Sequence, residues 1–302
     1  MAIFNKTKPI QEYEAEGETE RIYYEIRQTL RVSGVPQLFC SWAGHGRFLP
    51  LVWNALQPNA ETRAFEEASD RLRAEAARLI KPMEKPEVSR HVRLGESQTY
   101  HIRASLDLYH YLYPKLLLLS AAVQLALAGG RIGKEETREL ERIERGAPAG
   151  MIAMELAPEE PHDPRLRELF EEMKKISKPP VVIMDIRTLA LWPDYLIEAR
   201  NRLMPIVVGW GYKQAMERLG EAARKEARRL PYAVSIPREK MKGVVPDGEQ
   251  IAALTSGFER AYARCILNIG LLECDWKDPD LLVASPFPAS SRPRIAAAGG
   301  MG

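Results

Sequence analysis

The 302-residue chain holds only three cysteines, Cys40, Cys265 and Cys274, with no CxxC spacing, so neither a disulfide framework nor a zinc ribbon is expected. Its five histidines (His45, His91, His101, His110, His162) make no HExxH and no ligand-like pair on one helix face, which leaves a metal without a donor set. Charge of one sign is scarce too. Lys and Arg number 43 against 41 Asp and Glu, the net +2 is interspersed along the chain, and nucleic acid is not an expected partner. Long apolar runs are missing: Leu116 to Leu127 covers 12 residues, includes Gln124, and reads as a buried helix rather than a membrane span. The N-terminal stretch turns acidic before an apolar region forms, so no secretion signal is expected and the reducing cytoplasm is the expected compartment. GxGxxG, GxxxxGK[ST] and GxSxG are all absent, which removes the phosphate cradles of nucleotide enzymes and the commonest hydrolase nucleophile. No cofactor is expected.

What the chain does have is helical periodicity, and the expected fold is all-α. Apolar spacing predicts helices over residues 14–31, 48–56, 62–80, 99–127, 132–145, 165–176, 186–203, 207–230 and 249–276. Pro114 is expected to kink or divide the fourth of these. The run Val181 to Ile186 is β-branched but stands alone, and an extended connector is the expected form. A proline-rich linker (146–164) separates a first helical repeat (10–145) from a second (165–288), with a disordered tail at 289–302. The two sets look alike: RLRAEAARL (71–79) matches AARKEARRL (222–230), and each precedes a long apolar helix. Such halves are expected to pack as a pseudo-dimer with a site between them.

Asp185 is the one charge between Lys178 and Arg187, set in PPVVIMDI beside a helix start. Two readings stay open, a helix N-cap and a carboxylate that activates water. Thr62 and Glu66 lie four apart on one helix face, where Asn59 or Thr62 could cap the helix and Glu66 could pair with Arg63 or Arg73. Tyr109, His110, Tyr111 and Tyr113 gather polar tips beside Pro114. Trp42 and Trp192 read by default as core aromatics.

Taken together, YEIRQTLRV (24–32), FLPLVW (48–53), TRAFEEASDRLR (62–73), YPKLLLL (113–119), DIRTLALWP (185–193), LLEC (271–274) and SPFP (285–288) resemble the group I D,L-2-haloacid dehalogenases. The resemblance implies an all-helical fold of two repeats and hydrolytic loss of halide from short 2-haloalkanoic acids, with inversion and no covalent intermediate. It puts the water-activating aspartate on Asp185 and two further site residues on Thr62 and Glu66. Arg187 and Thr62 become candidates for the substrate carboxylate, Trp42, Trp192 or Tyr113 for the halide, and Gln37 for the substrate pocket. The chain departs from the pattern at Gly34, Tyr113 and Met184, where the family has tryptophan, asparagine and serine. A related small-carboxylate hydrolase, or a non-catalytic helical binding protein, is the alternative. Expected partners are a small haloacid or other small carboxylate, with homodimerisation open and no membrane.

Overall fold

Among the described residues of a computed structural model, 8–130, 132–134, 140–176, 181–236 and 248–292, ten α-helices follow one another and are grouped here as two series of five. The first series is α1 (Gly17–Leu30), α2 (Gln37–Ala43), α3 (Phe48–Ala60), α4 (Arg63–Ile80) and α5 (Glu96–Leu127). The second is α6 (Pro164–Ile176), α7 (Met184–Leu189), α8 (Pro193–Val207), α9 (Trp210–Ala227) and α10 (Gly248–Glu273). Helix lengths run 14, 7, 13, 18 and 32 residues in one series and 13, 6, 15, 18 and 26 in the other. The long fifth helices, α5 and α10, pack against each other at the centre. Every residue from Leu116 to Val123 is buried, as expected of a helix that is apolar all round. Gly270 admits α4 beside α10, since a Cβ there would lie 2.8 Å from Ile80 Cδ1.

Pro114 neither kinks α5 into two nor ends it. Proline removes the N–H that would bond the carbonyl of His110 four residues earlier. Here the Arg73 side chain, fully buried on α4, supplies the missing donor: Nε bonds His110 O at 3.1 Å, and Nη2 adds a bond to Tyr111 O at 3.3 Å. Arg73 also pairs with Asp70, which meets its charge.

Other expectations change. The helix expected at 186–203 is divided into α7 and α8, because Trp192 precedes Pro193 and leaves the helical region at ψ 78. Helix α2 appears where no helix was expected, its seven residues all buried. The helix expected at 132–145 does not form in its described residues. Backbone donors there serve other segments: Ile143 bonds Glu61 O at 3.0 Å and Glu144 bonds Ser290 O at 2.9 Å. Residues 289–292, expected to begin a disordered tail, are therefore held along 142–144, with Arg292 N–H on Arg142 O at 2.8 Å; residues 293–302 lie outside the described residues. Two isolated bridges, Thr62 with Arg142 and Ile143 with Ser291, are the β-type pairing among the described residues. No described helix is long and apolar enough to cross a membrane.

The Arg73 account makes a double-mutant prediction. Arg73→Met orphans the buried His110 carbonyl and is expected to cost about 1–3 kcal/mol for it in urea unfolding. Adding Pro114→Ala restores the N–H for His110 O and should recover part of that loss. Strict additivity of the two changes would refute the compensation.

Candidate active site

Asp185 is the second residue of α7 and is 3 % exposed. The N-cap of that helix is Ile183, and the Asp185 side chain points its bonding at α5: Tyr113 Oη donates to Oδ1 at 2.8 Å. The same hydroxyl accepts the Asp185 N–H at 3.1 Å, so one phenol engages both the carboxylate and the backbone of Asp185. Burial pushes the Asp185 carboxyl up to about 6, against which the Tyr113 bond and first-turn N–H groups pull it down. Tyr113 is fully buried, and burial, then the Asp185 charge, holds its hydroxyl protonated, well above the ordinary phenol range.

Asp185 lines a cavity of about 490 Å³. Its apolar walls include Ile183, Ile186, Leu189, Leu203, Met216 and Leu272. Polar groups come from Tyr212, Arg264, Cys265 and Asn268, with Tyr212 Oη donating to Asn268 Oδ1 at 2.6 Å. All of these lining residues belong to the second series of helices. Tyr113 of the first series backs the Asp185 wall, so the site stands where the two series meet. Cys265 shares the wall, its thiol held protonated by burial and by the neighbouring Asp185 charge. Lys213 and Arg264 are exposed cavity residues, and among the described residues neither pairs with a carboxylate.

The other residues singled out from sequence lie elsewhere or do other work. Thr62 is the N-cap of α4: Oγ1 accepts Phe65 N–H at 3.1 Å and donates to Asn59 O at 2.7 Å, which uses the hydroxyl up. Glu66 pairs not with Arg63 or Arg73 but with Lys115, inside a buried cluster that Tyr111 and Arg31 complete. Lys115 is pulled down to about 8 by burial, opposed chiefly by Glu66. Arg187 clamps the linker, with Nε on Ala157 O at 2.9 Å and Nη1 on Glu159 at 3.4 Å. Trp42 is core, its indole N–H on Thr255 Oγ1 at 3.1 Å. Trp192 stacks on His101 and is not a cavity residue.

Gln37 lies nearer the site. Its backbone N–H bonds Met184 Sδ at 3.4 Å, joining the first residues of α2 and α7, and its buried Oε1 has no partner among the described residues. At Gly34, a Cβ would come within 3.1 Å of Met154 Sδ, so the linker fills the space a larger side chain would need. Another buried acid, Glu273, is raised to about 8 by burial, yet its neighbour is His110 at 3.6 Å and it is not among the cavity residues. Sequence reading missed Tyr212, Arg264, Cys265 and Asn268. Their signal was spacing: Ala261, Arg264, Cys265, Asn268 and Leu272 form one face of α10 at intervals of three and four.

Comparison with known proteins gives the family and the fold. The profile of the family described as Halocarboxylic acid dehydrogenase DehI matches residues 33–185. A configuration-inverting 2-haloacid dehalogenase of Pseudomonas sp. (strain 113) is 31 % identical over 88 % of this chain and 89 % of its own length. An (R)-2-haloacid dehalogenase of Pseudomonas putida is 26 % identical over 77 % of this chain and 79 % of its own. Among solved structures, a D-2-haloacid dehalogenase with L-LA superposes with a TM-score of 0.80 at 22 % identity, covering 89 % of this chain and 96 % of that one, and so shares the fold.

Burying Asp185 has a stability cost with a definite pH window. Its folded value of about 6 exceeds the ordinary 3.8, so the unfolded chain releases the proton first. Stability therefore falls as pH rises through that interval, and the cost above it is about 3 kcal/mol. Asp185→Asn, which can still accept from Tyr113, is expected to stabilise the protein by that order at pH 8 and to match the parent below pH 4. Denaturant titrations at the two pH values check this, and a destabilised Asn variant at pH 8 would refute it.

Proposed function

Because the chain belongs to the haloacid dehalogenase family, hydrolases of the carbon–halogen bond, we propose that it removes halide from 2-haloalkanoic acids of either hand through a water activated by Asp185. The observation that supports this reading is a buried carboxylate on a cavity wall, held on one oxygen by Tyr113 and standing beside open volume. Ionised Asp185 orients the water and takes its proton as the oxygen attacks C2 on the side opposite the halogen. The C–X bond breaks as the C–O bond forms, the configuration inverts, and halide leaves with the bonding pair. Halide needs no proton to depart, so one base is sufficient. The proton on Asp185 then returns to solvent.

Tyr113 is a positioning residue in this scheme. It fixes the carboxylate and favours its charged form, which serves a base that must be ionised. Arg264 and Lys213, at the cavity, suit the substrate carboxylate better than Arg187 and Thr62, whose donors are spent elsewhere. Burial and the Asp185 charge keep the Cys265 thiol protonated, so it does not compete as a nucleophile.

Three measurements test the reading. Each enantiomer of 2-chloropropionate is expected to release chloride and yield the inverted 2-hydroxy acid; silence from both at high enzyme would sink the proposal. Asp185→Asn is expected to lower turnover by roughly 10²–10⁴-fold. In the parent, kcat/KM should fall as pH drops through about 6, where Asp185 takes up its proton. Tyr113→Phe removes a bond to the charged form and should move that acid limb upward by about one pH unit. A limb that stays in place would show that Asp185 is not the group titrating.

A further inference from the structure

The cavity is far larger than a three-carbon haloacid requires. Its volume of about 490 Å³ lies in the range of drug-sized ligand sites, roughly 300–1,000 Å³. Its lining mixes charged and aliphatic side chains, the Arg200–Glu172 ion pair on the α6 and α8 side among them. Arg264 and Lys213 are exposed, and Met204 on α8 is 44 % exposed, which marks the open end. Leu189, Leu196, Ala199 and Leu272 are all 3 % exposed or less, which marks a closed apolar end. Tyr195 stacks on Trp276 at 6.1 Å, so the start of α8 meets the end of α10 there.

Asp185 sits at the level of Cys265, the residue next to Arg264 on α10. Leu272 lies seven residues beyond Cys265 on that helix, about 10 Å deeper at the helical rise. Between these levels Asn268 already accepts the Tyr212 hydroxyl, so an apolar tail lying there leaves that pair intact. A carboxylate bound at Arg264 and Lys213 and a C2 beside Asp185 therefore put the alkyl substituent of C2 into the closed end.

We infer that this enzyme's substrates are 2-haloalkanoates with an alkyl tail of several carbons, whose tail fills the Leu189, Leu196 and Leu272 end of the cavity. The inference rests on the dehalogenase reading above and adds the chain length. Each buried methylene contributes about 0.8 kcal/mol, a factor of about four in kcat/KM. A two- or three-carbon acid gains almost nothing from that end of the site.

The test is halide release by the full-length protein from the 2-bromo acids of propanoate, butanoate, hexanoate and octanoate. Specificity is expected to rise about fourfold per methylene until the closed end is full. Leu196→Trp, which occupies that end, is expected to lower the ratio of hexanoate to propanoate kcat/KM by roughly tenfold. The ratio is taken within one protein, so a general loss of folded enzyme cancels. Leu272→Phe provides the same reading from the opposite wall. A flat or falling series in the parent overturns the inference, as does a series whose slope both variants leave unchanged. Halide from propanoate alone overturns the chain length and spares the dehalogenase reading; halide from no member removes that reading and this inference with it.

Discussion

A carboxylate held in an apolar wall needs a donor that is itself fixed, and the Tyr113 hydroxyl meets that need for Asp185. Tyr113 can do so only if α5 continues unbroken past the proline that follows it. The helix continues because Arg73 of α4 satisfies the carbonyl that Pro114 leaves open. Arg73 in turn is tolerable in the core because Asp70 and the His110 and Tyr111 carbonyls meet its charge. Helix α4, the proline, the phenol and the aspartate thus form one chain of dependence. Its last member carries an unfavourable charge that folding alone would not retain.

The two series of helices treat buried charge differently. On α5, Tyr111 and Lys115 reach Glu66 and Arg31 in the first series, while Tyr113, between them in sequence, reaches Asp185 in the second. In the first cluster donors and acceptors answer one another: Lys115 also bonds Leu30 O and Tyr111 Oη, and Arg31 also bonds Glu144 and Phe287 O. A cluster so saturated has little capacity left for water or an anion. Asp185 retains capacity because a single side chain engages it and open volume lies beside it. The presence of a buried acid is common to both; open volume beside the acid distinguishes one.

Most of the architecture was legible in the sequence. Periodicity located the long helices and gave the all-α class. The failures have local causes. Proline rules mark Pro114 as a break, but a donor from another helix overrides them there, whereas at Trp192 and Pro193 no such compensation occurs and the helix does divide. Helix α2 escaped notice because its seven residues are buried on every side and show no polar face to set a period. The charged stretch near 140 looked helical by composition, yet its backbone is paired with residues 61 and 290, partners no local pattern can announce.

The site was legible only where residue type is rare for its setting. Asp185 qualifies, being a lone acid in an apolar segment. Arg187, Thr62, Trp42 and Trp192 are chemically suitable, but suitability says nothing about whether their donors are already spent, and in this fold each has a partner. The cavity face of α10 had the opposite problem: Ala261, Cys265 and Leu272 carry no chemical mark and read as ordinary core. What turns them into a site is that α8 and α10 enclose volume instead of filling it, with charged and aliphatic side chains mixed along its lining. That property belongs to the pair of helices and to no residue in either, so it becomes visible only when the helices are placed. A buried carboxylate beside open volume argues for a reaction, and the shape of that volume argues for which molecules undergo it.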